Sequence, residues 1–408
     1  MSEKERFGLL GRKLGHSYSK TIHNRLGRYP YELYEVEPDK LQDFMNSGIK
    51  GFNVTIPYKK DIMKYLDVID KSASLIGAVN TVVRFKDKFK GYNTDFDGMI
   101  YMLNRARITI KNKIVMILGT GGTGNTAKAV CTHLGAKQII VVSRSGEVNY
   151  QNYKNFNNVQ VIINTTPVGM YPNNYQSPIE LDAFTELEGV ADVIYNPSMT
   201  LLCYQAEKLG VNATNGLPML VAQAKKAKDK FKGRKSQTDA VEKILKILNN
   251  EKQNVLLIGM PGSGKTTIGE KVAKGLGKEF IDTDAEIVKR ENCDIPTIFK
   301  EKGEAYFRAV ESEVLKEVCK NTGKVISTGG GIVKDEKNLY PMVSNGKIFW
   351  IKRDLDKLAT GGRPLSAGSD SVKKLYEERK ELYASFSDFR VDNNGDVDDA
   401  VKGVLEKL

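Results

Sequence analysis

Two glycine-rich segments of the chain carry the residue types and spacings that bind phosphate groups. The more specific one is GMPGSGKT at residues 259–266, which fits G-x-x-x-x-G-K-[ST] and follows the apolar run NVLLI. In such a loop the backbone N–H groups surround an anion, Lys265 reaches the outer phosphates of a nucleotide, and the Thr266 hydroxyl can bind Mg²⁺. The motif predicts ATP or GTP but does not say what is phosphorylated. Its candidate ligands are Gly259, Gly262, Gly264, Lys265, Thr266 and Thr267.

The second segment places Gly119, Gly121 and Gly124 in the pattern G-x-G-x-x-G between a strand-like and a helical run. Such glycines allow a tight turn and let the backbone approach a pyrophosphate at the N-terminus of the helix. Because similar turns also exist for structural reasons alone, the motif by itself leaves both interpretations open. The next apolar run, QIIVVSRS, ends in Arg144 and not in an acidic residue, which favours NADP over NAD; a plain surface role for Arg144 is the alternative.

Both motifs occupy the same place in a recurring order of strand, glycine-rich turn and helix, over residues 111–134 and 253–276. This order is typical of α/β domains with parallel sheets, so we predict two nucleotide-binding domains. Residues 1–98 alternate strand-like and helix-like runs and predict a further α/β lobe, onto which the helical run 216–231 could pack. The polar residues 249–253 are the predicted linker between the two halves.

Composition restricts the classes of protein to which the chain can belong. With 408 residues, 40% of them hydrophobic and 27% charged, the chain is expected to form two or three globular domains. Its apolar runs are only strand-sized, so we expect no membrane partner and a cytoplasmic location. Four scattered cysteines and three histidines argue against a zinc site or a disulfide framework. The net charge of +12 suits small anions, and the basic run 225–235 is interpreted as a solvated helix face and not a nucleic-acid patch, because no aromatic platform accompanies it.

Seven blocks in the first part of the chain occur in the order found in shikimate dehydrogenases, and residues 6 to about 248 resemble that family. The blocks are GRKLGHSYSKTIHN (11–24), GFNVTIPYK (51–59), GAVNT (77–81), GYNTDFDG (91–98), NTTPVGM (164–170), YNPSMTLL (195–202) and GLPMLVAQA (216–224). The resemblance implies a substrate-binding lobe made of residues 1–98 plus about 215–248, and a Rossmann-like NADP-binding domain at residues 99–214.

The same resemblance implies roles for individual residues. Lys59 and Asp95 would be the catalytic pair, which suits the chemistry because hydride delivery to a ketone leaves an alkoxide that needs a proton. The alternatives are a surface lysine for Lys59 and a helix N-cap for Asp95. The implied substrate ligands are Ser17 and Ser19 for a carboxylate, Tyr195 near it, and Thr55, Asn80 and Gln223 for ring hydroxyls. The implied dinucleotide ligands are Gly119, Gly121, Gly122, Thr123, Gly124, Arg144, Gly216 and Met219.

Residues 254–408 resemble shikimate kinases, which implies a P-loop kinase domain with a parallel sheet. The blocks that carry the resemblance are FIDTDAE (280–286), GEAYFR (303–308), TGGG (328–331), RPL (363–365) and ERKELY (378–383). Asp284 would orient the substrate hydroxyl or accept its proton, while Thr266 and, through water, Asp282 would hold Mg²⁺. We expect both aspartates to face one side, because they lie two apart in a predicted extended stretch; an N-cap role is the alternative.

The remaining implied kinase residues bind the acceptor or cover the nucleotide. Arg308 and Arg379 would clamp a carboxylate, since each guanidinium can donate two hydrogen bonds to it. Surface ion pairs with nearby glutamates, namely Glu304, Glu377 or Glu378, are the alternative. Gly330 would let the backbone approach the substrate ring, and Arg363 would come from a lid over the phosphates.

Three departures from the two families stand out. Lys20 occupies a position that is usually proline in the dehydrogenases. Between Arg144 and Asn164 the chain is short, with NYQNYKNFNNVQVII in place of a helix, a strand and their connections. The kinase lid, residues 354–371, is also short.

Together the resemblances imply a bifunctional enzyme of the shikimate pathway that uses NADPH, ATP and Mg²⁺. It would reduce 3-dehydroshikimate to shikimate and then phosphorylate shikimate to shikimate 3-phosphate, so that one product is the next substrate. The alternatives are an NAD-dependent quinate or shikimate dehydrogenase, a chain in which one half only binds ligand, and a P-loop enzyme acting on nucleic acids. The expected partners are small molecules, and the sequence leaves the oligomeric state open.

Overall fold

The computed structural model describes residues 5–15, 18–358 and 369–408, and the chain divides into two compact units. Unit 1 comprises Met1–Met170, Gln176–Asn196 and Leu202–Ile247. Unit 2 comprises Tyr171–Tyr175, Pro197–Leu201 and Leu248–Leu408. Both units are α/β, which confirms the predicted fold class. Within the described ranges, no helix is long and apolar enough to cross a membrane.

The first sheet of unit 1 has six strands in the order β2-β1-β3-β5-β6-β4. The strands are β1 (Phe7–Gly11), β2 (Tyr31–Glu35), β3 (Gly51–Val54), β4 (Val68–Ile69), β5 (Thr81–Phe85) and β6 (Lys88–Tyr92). Only β5 runs antiparallel to its neighbours, β3 and β6. The accompanying helices are α1 (Ser19–Leu26), α2 (Leu41–Asn46), α3 (Lys71–Ile76) and α4 (Thr94–Arg105). All residues of β1 and β3 are buried, as expected for strands covered on both faces.

The second sheet of unit 1 is entirely parallel, in the order β11-β10-β9-β7-β8. Its strands are β7 (Ile114–Leu118), β8 (Gln138–Val142), β9 (Val161–Asn164), β10 (Gly189–Asp192) and β11 (Asn212–Thr214), and its helices are α5 (Gly122–His133), α6 (Leu201–Lys208) and α7 (Leu217–Lys232).

The short stretch between Arg144 and Asn164 differs from the expectation, because it does contain a strand. Strand β9 lies between β7 and β10, so the sheet could not be continuous without it. Only the helix is missing, and a single 3₁₀ turn at Tyr153–Asn155 stands in its place. The buried ring of Tyr153 covers the apolar core that a helix would otherwise cover.

Helix α7 packs onto the first sheet, where Phe231 meets Phe7 with ring centroids 5.3 Å apart. The lysines of its basic run have partners within unit 1. Lys225 pairs with Asp229 at 2.9 Å and Lys226 with Asp97 at 2.7 Å. Lys228 Nζ donates a hydrogen bond to the Leu26 carbonyl oxygen at 2.6 Å, and Lys232 pairs with Glu5 at 2.8 Å.

Helix α8 spans Ala240–Lys252 and contains most of the predicted linker, residues 249–253. The predicted linker is therefore helical up to Lys252. The cause is an apolar stripe at helical spacing, whose buried members are Val241, Ile244, Leu245 and Leu248.

Unit 2 contains one parallel sheet in the order β13-β14-β12-β15-β16. Its strands are β12 (Asn254–Ile258), β13 (Glu279–Asp282), β14 (Lys324–Ser327), β15 (Gly346–Lys352) and β16 (Phe389–Asp392). Its helices are α9 (Lys265–Leu276), α10 (Thr283–Glu291), α11 (Ile295–Lys320), α12 (Leu339–Asn345), α13 (Ser369–Phe386) and α14 (Val397–Leu405). Separate apolar clusters cover the two faces of this sheet.

His23 on α1 is buried and should make the stability of the fold depend on pH. Burial lowers the pKa of His23 from its ordinary value of 6.5 to about 3, so the folded protein keeps the ring neutral where the unfolded chain takes up a proton. The free energy of unfolding should therefore fall as the pH drops below 6.5, by at most about 1.4 kcal/mol per pH unit from this residue. Denaturant unfolding at several pH values between 7 and 4.5 measures this change in the free energy of unfolding.

The His23→Gln variant should lose this part of the pH dependence, while the same change at the exposed His133 should keep it. Equal pH dependence of all three proteins would contradict the assignment to His23.

Candidate functional sites

A cavity of about 480 Å³ in unit 1 brings together predicted substrate ligands that are far apart in the sequence. It opens where β1 and β3 end and where α4 begins. The predicted residues that line it are Ser19, Thr55, Lys59, Asn80, Asp95, Tyr195 and Gln223. Ser17 lies outside the described residues.

Lys59 and Asp95 form an ion pair in this cavity, with 2.7 Å between Lys59 Nζ and Asp95 Oδ2. Their side chains are 29% and 18% exposed, so both can reach a bound molecule. Asp95 lies in the first turn of α4, but the N-cap of that helix is Asn93, whose side chain accepts from the Asp95 backbone N–H at 3.1 Å. The alternative role of Asp95 as the cap is therefore wrong.

The amides of Asn80 and Gln223 are held by neighbouring groups. Asn80 Oδ1 accepts hydrogen bonds from the Thr94 backbone N–H at 2.7 Å and from Thr81 Oγ1 at 3.0 Å. Gln223 Nε2 donates to the Leu220 carbonyl oxygen at 3.0 Å. These bonds give both side chains defined orientations at the cavity wall.

Tyr18 and Tyr195 form another part of the wall, edge to face at 5.6 Å between ring centroids. Burial raises the pKa of both phenols, so they are uncharged hydrogen-bonding groups at neutral pH.

The glycine-rich turn after β7 has a backbone that requires its glycines. Gly119 adopts φ = +103°, and a Cβ on Gly124 would lie 2.4 Å from the Gly119 carbonyl oxygen. Gly121 and Gly122 start α5, and a Cβ on either would meet only open space, so their backbone is accessible to an anion at the helix N-terminus. Thr123 lies in the same first turn.

The other predicted dinucleotide ligands occupy two different places. Arg144 is exposed in the turn after β8 and lies near Tyr150, whose pKa is raised by burial and lowered in part by the Arg144 charge. Gly216 caps α7 and lies against the Val193 carbonyl oxygen, which leaves no room for a Cβ. Met219 is 8% exposed and packs in the core against α4 and α5 residues, so its side chain also has a packing role.

A cavity of about 510 Å³ in unit 2 contains the phosphate-binding loop of residues 259–266. Lys265 is 8% exposed, and its Nζ donates to the carbonyl oxygens of Gly259 and Met260 at 3.0 Å. Ser263 Oγ is buried without a hydrogen-bond partner among the described residues. An uncompensated polar atom inside a loop of backbone N–H groups fits a site for phosphate oxygens.

Thr266, Asp282 and Asp284 lie at one end of the same cavity. Thr266 Oγ1 donates to Asp282 Oδ2 at 2.9 Å, so the two predicted metal-binding side chains are adjacent. The predicted extended stretch is wrong at Asp284: Asp282 ends β13 and caps α10 by accepting from the Asp284 N–H at 3.0 Å, and Asp284 is helical. Both still face the cavity, because a cap and the first turn of its helix share one end of the helix. Within the described residues, no cluster of three or more His, Cys, Asp or Glu side chains is arranged for a metal ion.

The two predicted carboxylate-binding arginines both line this cavity. Arg379 is only 3% exposed, and its NH1 donates to the Gly330 carbonyl oxygen at 3.0 Å, so it points inward. Its Nε has no hydrogen-bond partner among the described residues. Arg308 does form the suggested ion pair with Glu304, at 3.2 Å, but it also donates from NH1 to Glu311 Oε2 at 2.7 Å.

Glu311 is a site residue that the sequence analysis missed. It is 1% exposed, and burial raises the pKa of its carboxyl, which the Arg308 charge opposes. The one feature of the sequence that could have indicated Glu311 is its position three residues after Arg308, on the same face of a helix. A Cβ on Gly329 would lie 2.4 Å from Glu311 Oε1 and 2.9 Å from Asp284 Oδ1, and one on Gly331 would overlap the Arg308 guanidinium. Gly329 and Gly331, on either side of Gly330, are therefore also needed for close packing.

Arg363, the last of the predicted kinase residues, lies outside the described residues.

Comparison with known protein families gives two matches. The model of the shikimate dehydrogenase substrate-binding domain matches residues 9–82, and the shikimate kinase model matches residues 261–408. These ranges contain Lys59 and Asn80 in the first cavity and the whole lining of the second.

Individual relatives match the first part of the chain. The shikimate dehydrogenase (NADP(+)) of Clostridium beijerinckii is 37% identical over 270 residues, which is 60% of this chain and 99% of the relative. The crystal structure of a chorismate mutase/shikimate 5-dehydrogenase fusion protein from Clostridium acetobutylicum is 37% identical with a TM-score of 0.58, over 60% of this chain and 97% of that chain. The shikimate 5-dehydrogenase of Listeria monocytogenes, solved with shikimate and NAD, is 28% identical with a TM-score of 0.55, over 60% of this chain and 97% of that chain. The chain therefore belongs to the shikimate dehydrogenase family and carries a shikimate kinase domain in its C-terminal part.

Proposed function

We propose that this chain is a bifunctional enzyme that reduces 3-dehydroshikimate to shikimate with NADPH and then phosphorylates shikimate to shikimate 3-phosphate with ATP. The observation that carries the proposal is the presence of two cavities with different chemistry in one chain. One contains the Lys59–Asp95 pair beside a dinucleotide-type turn, and the other contains a phosphate-binding loop beside two arginines. The family matches name the same metabolite for both parts.

In the reductase site, NADPH supplies the hydride when it is bound, and the chain's own residues handle the substrate and the proton. Lys59 Nζ donates a proton to the oxygen of the reduced carbonyl, and Asp95, 2.7 Å away, keeps the ammonium group oriented. Ser19, with Ser17, binds the carboxylate near Tyr195. Asn80, Thr55 and Gln223 bind ring hydroxyls, and their fixed amides select the orientation of the ring.

In the kinase site, MgATP supplies the phosphoryl group when it is bound. Asp284 orients the acceptor hydroxyl and accepts its proton, while Arg308 and Arg379 hold the substrate carboxylate. Glu311 keeps Arg308 turned into the cavity. Lys265 and the loop N–H groups neutralise phosphate charge, and Thr266 and Asp282 provide oxygen atoms for Mg²⁺ and its waters. For Arg363, which lies outside the described residues, a role at the phosphates is implied by the resemblance alone.

The preference for NADPH is assigned to Arg144, which is exposed where the adenosine 2′-phosphate would lie after β8. The glycines and Thr123 at the start of α5 would bind the pyrophosphate, and Gly216 and Met219 at the start of α7 would be further ligands of the dinucleotide. We further propose a cytoplasmic location with small-molecule partners alone. The ion pairs of the α7 lysines support the absence of a nucleic-acid partner, since charges already paired within the protein attract nucleic acid less strongly.

The domain assignment also remains a proposal. It takes residues 1–98 and about 215–248 as the substrate lobe, 99–214 as the NADP domain and 254–408 as the kinase.

A coupled assay on the purified chain tests the proposed function. With 3-dehydroshikimate, NADPH, Mg²⁺ and ATP present, we expect NADPH oxidation and ADP release together. Omitting NADPH should abolish both signals, and adding shikimate should then restore ADP release alone. Exchanging NADPH for NADH should slow the reduction and, because less shikimate is formed, ADP release as well. Phosphorylation of added shikimate should be unchanged.

Each contrary outcome of the assay identifies which part of the proposal fails. Equal rates with NADH would support the NAD-dependent alternative. ADP release without NADPH oxidation, or the reverse, would mean that one half only binds ligand or acts on another substrate.

A further inference from the structure

A line of buried hydrogen bonds runs from strand β2 to the reductase cavity. The Tyr31 hydroxyl donates to Asn53 Oδ1 at 2.8 Å, and Asn53 Nδ2 donates to Thr81 Oγ1 at 3.0 Å. Thr81 Oγ1 in turn donates to Asn80 Oδ1 at 3.0 Å. All four side chains are at most 6% exposed, so water does not compete with these bonds.

The direction of these bonds determines what Asn80 offers to the cavity. Its carbonyl oxygen accepts from Thr81 Oγ1 and also from the Thr94 backbone N–H, at 2.7 Å. If the amide turned over, its NH₂ group would face that N–H, and a buried donor would lose its acceptor, at a cost of about 1–3 kcal/mol. The Asn80 NH₂ group therefore faces the cavity and can donate to a substrate oxygen.

Tyr31 anchors the far end of this line without lining the cavity itself. Its ring is stacked on His23, with centroids 3.8 Å apart and 6° between the planes, and is 1% exposed. Asn53 also hydrogen-bonds the His23 ring. The stack leaves the Tyr31 hydroxyl one position, directly against Asn53.

We propose that Tyr31 is a positioning residue of the reductase site. Through Asn53 and Thr81 it holds the Asn80 amide as a hydrogen-bond donor, and thereby makes the site selective for a substrate with a hydroxyl at the ring position that Asn80 reaches. The inference deepens the proposed reduction of 3-dehydroshikimate and rests on it.

The test uses Tyr31→Phe in the full chain, which removes the hydroxyl and keeps the stacked ring. The KM for 3-dehydroshikimate should rise about 5-fold, as for the loss of one hydrogen bond, while kcat stays within about 2-fold. The KM for NADPH and the phosphorylation of added shikimate should not change. Tyr34→Phe on the same strand is the matched control, since Tyr34 packs against Phe44 in the core and lies outside the line.

A second readout separates positioning from a general loss of structure. In the reverse reaction, shikimate analogues that each lack one non-reacting ring hydroxyl are compared with shikimate. The wild-type protein should discriminate against one of them, and Tyr31→Phe should lose about 5-fold of that discrimination. Equal weakening for every analogue, or an unchanged KM, would overturn the proposal. A wild-type protein without reductase activity would instead refute the proposed function.

Variants of Thr81 keep the test decisive if Tyr31→Phe fails to fold. Thr81→Ser retains the hydroxyl and should behave like the wild type, whereas Thr81→Val has nearly the same shape but no hydroxyl and should raise the KM for 3-dehydroshikimate. If Ser and Val gave the same KM, the line of hydrogen bonds would not position Asn80.

Discussion

Replacing Lys59 by alanine should abolish NADPH oxidation with 3-dehydroshikimate while phosphorylation of added shikimate continues at the wild-type rate. The expected loss in kcat is roughly 10²- to 10⁴-fold, the usual contribution of a positioned proton donor. The reason lies in the cavity, where Lys59 Nζ is 2.7 Å from Asp95 and the Lys59 side chain is 29% exposed, so it can reach the carbonyl oxygen. Stopped-flow or steady-state absorbance of NADPH measures the first activity, and ADP release measures the second.

Lys60→Ala is the matched control, because Lys60 is the exposed neighbour of Lys59 in the sequence. It should keep both activities. If Lys59→Ala retained reductase turnover near that of Lys60→Ala, Lys59 would not be the proton donor. If it lost the kinase activity as well, the variant would report misfolding and not catalysis, and thermal unfolding would show it.

Replacing Lys265 by methionine should have the opposite effect: shikimate phosphorylation falls by roughly 10²- to 10³-fold while the reductase is unchanged. Methionine keeps the apolar stem of the side chain, which is 8% exposed, but removes the charge that would neutralise the nucleotide phosphates. Part of the loss should appear as weaker ATP binding, measured by titration calorimetry in the presence of Mg²⁺. The lysine also donates to the carbonyl oxygens of Gly259 and Met260, so unfolding should be measured alongside.

Lys271→Met controls for the removal of a positive charge from the same helix, α9, since Lys271 is exposed and pairs with Asp398. Full kinase activity in Lys265→Met would refute the phosphate-binding role of the loop.

A mixture of the Lys59→Ala and Lys265→Met variants should restore conversion of 3-dehydroshikimate to shikimate 3-phosphate, because shikimate released by one molecule can enter another. A mixture that stays inactive would mean that shikimate does not leave the chain.

The comparison of sequence and structure is most favourable at the two glycine-rich turns. Both lie between a parallel strand and a helix, as predicted, because the spacing of glycines and apolar residues acts on the few residues around it. The pairing of Lys59 with Asp95 needed more information. The residues are 36 positions apart, and only the family resemblance suggested that they meet.

Two features of the fold follow from long-range packing and not from local composition. The linker residues 249–252 are polar, and the buried stripe of α8 makes them part of a helix. Strand β9 was not expected in the short stretch after Arg144, yet its two neighbours in the sheet require it. In both places the local composition was outweighed by contacts with distant residues.

The sequence by itself determined the fold class, the two phosphate-binding turns and the identity of just under half of the residues that line the two cavities. These features depend on local spacing, or on motifs whose order along the chain can be read directly. Only the tertiary structure decided how the buried polar groups are paired: Arg308 with Glu311, and Tyr31 through Asn53 and Thr81 with Asn80. A buried donor or acceptor must find its partner among whatever residues the packed fold brings within about 3 Å. For residues as far apart in the chain as Tyr31, Asn53 and Thr81, sequence separation carries no information about that distance.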